Sequence, residues 1–457
     1  MICVAPTPST GFDLDVSVLV IGAGASGMVA ALSANDAGSE VLVVEADPAP
    51  GGSTALSAGL IPAAGTYFQK AAGIRDNPLI LAADIQHKAN WENSQTLVDT
   101  LAANAGSCIE WLSDRFHLPF SVVTDFDYPG HSRRRMHGLP TRAGRELVDW
   151  LRSACEAECV DIVCNRRARV LFRDSTRIMG VEVQGPEGCE RIGCEALILA
   201  CNGFGGNREM IARYIPEVEK ALWFGHDGNK GDAVMWGDAL GAESLHLGAY
   251  QGHGNVATPH GILITWAVIT EGGVQVNTTG RRFWDESQGY SEAARVVMAQ
   301  PGGIAWTIFD NRIAEIARQF QDFRDAEAAG ALRTADTLDA LADLCDLSAQ
   351  SLNKTISAIS SGQADEFGRT FISPGLTQPY MAVKVIGALF HTQGGLNVNQ
   401  DARVKLANGD LLPNLYASGG AAVGVSGTGD SGYLSGNGLL SAVVLGRIAG
   451  QRAAEQT

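Results

Sequence analysis

The stretch VSVLVIGAGASG at residues 16–27 decides the fold of this chain. Its first half, Val16 to Ile21, is a short apolar run rich in β-branched residues, typical of a strand buried on both faces. A glycine turn follows, then a helix of small residues from Met28 to Ala37 and a second strand from Val41 to Val44, which ends at Glu45. The pattern predicts a βαβ unit with its glycines between strand and helix.

The spacing inside this unit predicts a dinucleotide site. Gly22 allows the tight turn, Gly24 lets the backbone approach a pyrophosphate, and Gly27 lets the helix pack on the strand. The free N–H groups of the helix N-terminus favour phosphate. Glu45, 21 residues after Gly24, can accept hydrogen bonds from ribose hydroxyls. The predicted contacts here are Gly22, Ala23, Gly24, Ala25, Ser26, Gly27, Glu45 and Ala46.

Composition narrows the class of protein. The chain has 457 residues, of which 54 are glycine and 46% are hydrophobic, which excludes a disordered chain. Its net charge of −16 argues against a nucleic-acid partner. No uncharged run approaches the roughly 20 residues of a membrane span, and the N-terminus lacks signal-peptide order. We therefore expect a cytoplasmic enzyme. Nine scattered cysteines without C-x-x-C or zinc spacing predict no metal site.

The rest of the chain predicts two domains. Helical periodicity covers 75–118, 140–160, 311–329 and 336–360, and strands are predicted at 161–170, 178–183, 195–200 and 414–417. Glycine thins between 242 and 376 and then returns. The fold class expected is α/β: a Rossmann-like nucleotide-binding domain, residues 1–241 and 377–457, interrupted by an inserted α+β substrate (cap) domain, residues 242–376.

Further motifs then resemble a known family. Gly51-Gly52-Ser53-Thr54 with Ser57-Ala58-Gly59, Gly231-Asp232, the Gly280 to Glu286 turn, His391 to Gly395 and Tyr416 to Gly420 resemble the fumarate reductase and succinate dehydrogenase flavoprotein superfamily, in order, from about residue 16 to 450. The resemblance implies FAD as cofactor. It further implies contacts from Gly51, Gly52, Ser53, Thr54, Ser57, Ala58, Gly59, Val170, Asn202, Gly203, Asp232, Gly419, Gly420, Asn437, Gly438 and Leu439.

One departure concerns the cofactor site. The superfamily often has Glu where this chain has Gly420, so a ribityl hydrogen bond is expected to be missing or supplied elsewhere. A helix beginning in the segment Ser435 to Leu439 would point its N-terminus at the flavin ring and stabilise negative charge there.

Other departures concern the substrate. The resemblance implies two arginines that serve dicarboxylates, and those positions hold Tyr290 and Tyr433; a third position, a histidine in the family, holds Phe390. A dicarboxylate such as fumarate would then have no arginines to form bidentate hydrogen bonds with its carboxylates. Tyrosines at these positions, with Ser435 two residues after Tyr433, resemble the 3-ketosteroid dehydrogenase branch. The Asp127-Tyr128-Pro129 stretch also resembles a segment where that branch carries a tyrosine.

The chemistry implied is desaturation of a cyclic ketone. A hydroxyl polarises the carbonyl, a base takes a proton from the neighbouring carbon, and FAD accepts a hydride. We assign Tyr290 as base and Tyr433 with Ser435 to the carbonyl, the reverse roles staying open, with Tyr128 as a further catalytic candidate. His253, His391 and Arg135, the last from the run Arg133 to Arg135, are candidate substrate contacts.

Two alternatives stay open. An enone or enoate reductase of fumarate reductase type would run the chemistry in reverse, and a non-catalytic flavin electron carrier would use the cofactor alone. The substrate expected is a small-molecule cyclic ketone, either a 3-ketosteroid or a smaller oxo-cyclohexane such as 4-oxocyclohexanecarboxylate. The sequence does not identify the external electron acceptor.

Overall fold

The computed structural model describes residues 2–125, 127–359, 364–371 and 375–457. The chain divides into two compact units, the first of Met1–Ile215, Gly225–Tyr250 and His391–Thr457, and the second of Pro216–Phe224 and Gln251–Phe390. Element labels below follow chain order through both units. Within the described residues, no helix combines the length and the apolarity needed to cross a membrane.

The first unit is built on a nine-stranded sheet. Its strands are β1 (Cys3–Pro6), β2 (Leu14–Ile21), β3 (Val41–Val44), β7 (Asp161–Val163), β8 (Arg167–Asp174), β9 (Arg177–Gly185), β10 (Gly188–Leu199), β20 (Arg403–Lys405) and β21 (Leu411–Ala417). The order is β1-β8-β9-β10-β2-β3-β7, and β21 pairs with β10 and β20. Strands β10, β2, β3 and β7 run parallel, as does β21 beside β10, and β9 is antiparallel to both its neighbours.

Short strands and the helices complete the first unit. The strands are β4 (Ile61–Pro62), β5 (Ser121–Val122), β6 (Met136–Gly138), β12 (Ser244–Leu245) and β19 (Gly395–Leu396). The helices are α1 (Ala25–Asp36), α2 (Gly52–Ala55), α3 (Tyr67–Ala71), α4 (Pro78–Lys88), α5 (Gln95–Phe116), α6 (Gly144–Ala157), α7 (Arg208–Tyr214), α8 (Asp232–Leu240) and α15 (Asn437–Ala454). Val18, Leu19 and Val20 of β2 are fully buried, which is why this strand reads as a continuous apolar run.

The second unit has its own seven-stranded sheet and core. Its strands are β11 (Leu222–Trp223), β13 (Tyr250–Ala257), β14 (Ile262–Leu263), β15 (Val274–Val276), β16 (Ile304–Asp310), β17 (Leu332–Ala335) and β18 (Tyr380–Thr392). Its helices are α9 (Ala267–Thr270), α10 (Tyr290–Met298), α11 (Asn311–Ala317), α12 (Gln321–Ala328), α13 (Leu338–Cys345) and α14 (Ala349–Ser357). The sheet order is β14-β13-β18-β16-β15, and β11 and β17 also pair with β18.

The fold class expected from the sequence is confirmed, with local differences. The helical stretch 75–118 is two helices, α4 and α5, because Asn90 and Trp91 adopt positive φ of 50° and 56° and Ser94 caps a new helix. Stretches 311–329 and 336–360 are likewise two helices each, and residue 360 lies outside the described residues. The predicted strand 161–170 divides into β7 and β8.

The compact units also differ from the predicted bounds of 242–376. The second unit takes in 216–224 and extends to Phe390. The reason is strand β18, which pairs with β16 over seven residues and lies inside the second sheet. The sequence-based boundary lies at residue 376, where glycine becomes frequent again, whereas the second unit continues to Phe390.

Candidate active site

The turn between β2 and α1 uses its three glycines differently. Gly22 has φ +105°, and a Cβ there would lie 2.6 Å from the Ala200 carbonyl oxygen. A Cβ on Gly27 would lie 1.8 Å from the carbonyl oxygen of Gly22. Gly24 is different, because the nearest atom to an added Cβ is Thr54 Oγ1 at 3.5 Å. Gly22 and Gly27 are therefore required by the protein's own packing, whereas Gly24 leaves surface that a ligand can approach.

The Glu45 carboxylate lies against this turn. It is 9% exposed; Oε2 accepts the Ala23 N–H at 2.6 Å and Oε1 accepts the Asp47 N–H at 2.9 Å. A carboxylate oxygen can accept more than one hydrogen bond, so both oxygens keep capacity for ribose hydroxyls. Ala46 follows directly at the end of β3.

The Gly51 to Gly59 segment is tied to the same turn. Thr54 Oγ1 accepts the Ala25 N–H at 3.0 Å, which fixes α2 against the first turn of α1. Ser57 Oγ donates to the Thr54 carbonyl at 2.7 Å and accepts the Gly59 N–H at 3.1 Å. Gly51 and Gly52 begin this short helix, and Ala58 is exposed between the two bonded residues.

Two other predicted contacts lie elsewhere in the first unit. Val170 is in β8, half-buried, opposite Cys3 of β1. Asp232 begins α8, is 9% exposed and accepts from Arg167 Nη2 at 2.6 Å. Among the described residues, Asp232 Oδ1 and Arg167 Nε have no partner although both atoms are buried. Burial raises the pKa of the Asp232 carboxyl. Sequence reasoning missed Arg167, which no motif marks.

A chain of polar side chains links the loop after β10 to the C-terminal end of β18 and the residue that follows it. Asn202 Oδ1 accepts the Gly203 N–H at 2.8 Å and bonds His391 Nε2 at 2.9 Å. His391 Nδ1 bonds Gln393 Nε2 at 2.7 Å. A Cβ on Gly420 would lie 2.1 Å from Asn202 Oδ1. The space of the side chain expected at position 420 is thus filled by the Asn202 amide, which sequence reasoning did not foresee.

The start of α15 is the second polar edge of the first unit. Asn437 is fully buried, donates to Ser426 Oγ at 3.2 Å, and leaves Oδ1 without a partner among the described residues. Gly438 and Leu439 lie in the first turn, after Gly436 with φ +86° and no side-chain cap. Upstream, Ser418 Oγ accepts from Ser26 Oγ at 2.7 Å, which ties the turn before Gly419 to α1.

Tyr433 and Ser435 immediately precede α15, and both are buried. Burial raises the pKa of Tyr433 to about 12, although hydrogen bonds from the Gly438 and Gly436 backbone lower it in part. The phenol therefore keeps its proton at neutral pH. The Ser435 carbonyl accepts from His131 Nε2 at 2.9 Å.

The Tyr128 loop reaches the same segment. Tyr128 packs against the apolar residues Leu60, Val123 and Met136, and burial raises its pKa to about 12. Three residues later, His131 makes its bond to Ser435, and burial lowers the pKa of His131 to about 4. The structure thus brings the Tyr128 loop to the Tyr433–Ser435 segment.

Arg135, a predicted substrate contact, lies in a buried ion-pair cluster. Its side chain is fully buried and is held by Asp76 Oδ2 at 2.8 Å, Asp76 Oδ1 at 3.1 Å and Asp84 Oδ2 at 2.5 Å. All three guanidinium nitrogens therefore bond carboxylates of the protein itself. Its neighbours Arg133 and Arg134 line an outer cleft of about 630 Å³.

Tyr290 and His253 lie together in the second unit. Their rings stack at 4.9 Å, His253 also stacks on Phe390 at 5.2 Å, and Trp266 meets His253 edge-on at 5.7 Å. Burial lowers the pKa of His253 to about 3, and its Nδ1 accepts the Asn255 N–H at 3.2 Å. His253 is therefore neutral, and this aromatic group (Tyr290, His253, Trp266 and Phe390) has no charge on its histidine.

Comparison with known proteins places these features in a family. The sequence model described as FAD binding domain matches residues 17–439. A probable fumarate reductase, Ifc3 of Shewanella frigidimarina, is 33% identical over 449 residues, covering 96% of this chain and 74% of its own length. A urocanate reductase of Eggerthella lenta is 28% identical over 467 residues, covering 98% and 76%.

Solved structures agree with this placement. The open conformation of a flavocytochrome c3 fumarate reductase has a TM-score of 0.83 at 32% identity and covers 98% of this chain and 79% of its own. A 3-ketosteroid Δ4-(5α)-dehydrogenase of Rhodococcus jostii RHA1 has a TM-score of 0.77 at 22% identity, covers 99% and 100%, and shows the shared fold.

The fold and the dinucleotide turn therefore define a flavoprotein. This chain belongs to the FAD-binding family of fumarate reductase and succinate dehydrogenase flavoproteins, which confirms the expected superfamily and cofactor. It is an FAD-dependent oxidoreductase acting on CH–CH groups. The residues present fit FAD, because Gly24 leaves surface for a pyrophosphate and the buried oxygens of Asp232 and Asn437 are left for a ligand's donors.

Proposed function

We propose that this protein is an FAD-dependent dehydrogenase that introduces a C=C bond next to the carbonyl of a cyclic ketone. The observation that carries the proposal is the neutral state of the side chains in question. Tyr433 is a buried phenol whose pKa is raised to about 12, and Tyr290 stacks on a histidine whose pKa is lowered to about 3. Neutral rings and hydroxyls suit a ketone, whereas a dicarboxylate needs cationic partners.

Tyr433 has the properties of a carbonyl-polarising group. Its hydroxyl oxygen receives hydrogen bonds from the backbone of Gly436 and Gly438 at the N-terminus of α15. These bonds polarise the hydroxyl and make it a stronger donor, and the positive end of the helix favours negative charge on the substrate oxygen. Ser435 is buried two residues away and can add a second hydroxyl donor.

Tyr290 is the group we assign to proton abstraction. For this role it must act as the phenolate, with its own proton given up to solvent before it takes the substrate's proton. A phenol with a pKa near 12 resists losing its proton at neutral pH, so Tyr433 is poorly suited as a base. Tyr290 begins α10 and is only partly buried, beside the neutral His253. FAD, when bound, accepts the hydride from the carbon next to the deprotonated one. Tyr128 stays a further catalytic candidate, and its pKa, raised to about 12 by burial, fits a hydroxyl that donates rather than a base.

The substrate class is argued from the ion pairs of the buried arginine. Arg135 is paired with Asp76 and Asp84, so it is not a free buried cation for a substrate carboxylate. An uncharged ring such as a 3-ketosteroid needs no cationic partner, which agrees with the neutral side chains of Tyr433 and His253. A smaller oxo-cyclohexane such as 4-oxocyclohexanecarboxylate stays within the proposal, with its carboxylate left to more exposed groups.

A second candidate function is reduction of an enone or enoate. It is favoured by the similarity to a probable fumarate reductase at 33% identity and to a urocanate reductase at 28%. The tyrosines at positions 290 and 433 weigh against dicarboxylates such as fumarate, because they cannot replace the bidentate bonds of two arginines. A cytoplasmic location is part of our proposal, supported by nine cysteines that are all free, and cell fractionation tests it.

Stopped-flow reduction of the flavin tests the proposal. Mixed anaerobically with a panel of cyclic ketones, the wild-type holoenzyme should lose its yellow absorbance with at least one of them. Tyr290→Phe should slow this reduction about 10²- to 10⁴-fold by loss of the base, and Tyr433→Phe about 10²- to 10³-fold by loss of the carbonyl donor. Tyr67→Phe is the matched control, because the Tyr67 hydroxyl bonds Asp114 at the surface. Unchanged rates in both site variants would overturn the assignment.

A further inference from the structure

The hydrogen bonds around His391 have only one consistent direction. The Gly203 N–H can only donate, so the atom of Asn202 that it meets is the amide oxygen. The His391 Nε2 that bonds the same oxygen must therefore carry a hydrogen. Gln393 presents its amide nitrogen to Nδ1, and its amide oxygen accepts from Ser426 Oγ at 2.9 Å. A neutral ring with its proton on Nε2 satisfies every one of these bonds.

The orientation of the Asn202 amide also determines the hydrogen bonds of Ser53. With its oxygen turned to His391, the Asn202 amide donates from Nδ2 to Ser53 Oγ at 2.9 Å. Asn229 Nδ2 donates to the same oxygen at 2.8 Å. Two donors occupy both lone pairs of a hydroxyl, so the Ser53 O–H is left to donate its own hydrogen outwards. Ser53 lies in α2, within the segment tied to the turn before α1.

The absence of a side chain at position 420 makes room for this arrangement. A Cβ on Gly420 would lie 2.1 Å from Asn202 Oδ1 and 3.1 Å from His391 Nε2. The bond between Asn202 and His391 therefore fills the volume that any side chain at position 420 would need.

We propose that His391 is a positioning residue of the FAD site: it holds the Asn202 amide so that the Ser53 hydroxyl donates its hydrogen to an oxygen of the cofactor. This replaces the prediction of His391 as a substrate contact, because both ring nitrogens are already bonded. Burial, which lowers the pKa of His391 to about 4, keeps the ring in the required neutral form.

The tautomer is measured first, in the unmodified holoenzyme. Nitrogen NMR of ¹⁵N-histidine-labelled protein, with the His391 signals assigned by their loss in His391→Gln, should show a neutral ring protonated on Nε2. These signals should not move between pH 6 and pH 8, because this range lies well above the pKa of about 4. A ring protonated on Nδ1, or one that titrates in that range, would overturn the proposal without any variant having to fold.

A double-mutant cycle then tests whether His391 acts through Ser53. His391→Leu should weaken FAD binding about ten- to a hundred-fold and shift the flavin reduction potential, and His391→Gln, with one donor and one acceptor, should restore most of the affinity. In Ser53→Ala, the His391→Leu change should cost little more, because the hydroxyl it orients is gone. Full additivity, or unchanged affinity in His391→Leu, would refute the proposal.

The matched control is His137. It is also buried, its pKa is also lowered to about 4, and both of its nitrogens are bonded, to Thr66 and to the Arg135 carbonyl. His137→Leu should lower the thermal stability while leaving the reduction potential of the bound flavin unchanged. An equal shift of potential in both variants would mean that His391 has only a structural role.

Discussion

Substitution by alanine should lower the free energy of unfolding at Gly27 and the affinity for FAD at Gly24. In Gly27→Ala the new Cβ would approach the Gly22 carbonyl oxygen to 1.8 Å, and this oxygen belongs to the backbone of a tight turn. Relief needs a backbone shift of more than 1 Å, and we expect a loss of at least about 3 kcal/mol, at the upper end for overpacking. In Gly24→Ala the nearest atom is 3.5 Å away and the backbone has an ordinary φ of −77°. The expected change in stability is therefore within about 0.5 kcal/mol.

The two variants should separate again in cofactor binding. An alanine at position 24 puts a methyl group on the surface we assign to the pyrophosphate, at the cost of charge-assisted hydrogen bonds worth about 3 kcal/mol together. FAD affinity should fall about a hundredfold. The assay is urea unfolding of FAD-free protein, followed by fluorescence titration with FAD. The reasoning fails if Gly24→Ala binds FAD normally, or if it unfolds as readily as Gly27→Ala.

Two other outcomes follow from buried charge and buried histidine. Arg135→Gln should lower the free energy of unfolding by about 3–5 kcal/mol, because its two carboxylate partners stay buried without a cation. Arg152→Gln, which loses an exposed ion pair, is the control and should change the free energy of unfolding by less than about 0.5 kcal/mol. Urea titration measures both. His253, with its pKa lowered from 6.5 to about 3, contributes stability that is full above pH 6.5 and is lost as the pH falls below it. At pH 5 the loss is roughly 2 kcal/mol, so His253→Phe should flatten the acid side of the stability profile; an unchanged profile would contradict a buried neutral ring.

The strand, the helix and the position of Glu45 beside the glycine turn could be predicted from sequence because their determinants are local. The glycine turn, the helix after it and Glu45 lie within 30 residues, and each element follows from its own residues. The carboxylate does lie against the turn, 2.6 Å from the Ala23 nitrogen. The break between α4 and α5 was missed because Asn90 and Trp91 take up positive φ inside an apolar pattern that otherwise continues.

The surroundings of the reactive groups could not be predicted, because they are made by residues distant in sequence. Arg135 meets Asp76 and Asp84, 59 and 51 residues away, and a run of three arginines gives no sign of those partners. His391 meets Asn202 across 189 residues. Whether a polar side chain is available to a ligand depends on such pairings, which only the folded chain specifies.

Anaerobic titration of the oxidised wild-type holoenzyme with cyclic ketones tests the proposed reaction most directly. The reverse reaction is tested by mixing dithionite-reduced holoenzyme with fumarate, urocanate or an enone and following reoxidation of the flavin. We predict that a saturated cyclic ketone bleaches the flavin and is recovered as the enone with one new C=C bond next to the carbonyl. Fumarate and urocanate should leave the reduced flavin unoxidised. Rapid reoxidation by fumarate or urocanate, with no bleaching by any ketone, would contradict the account and establish a reductase.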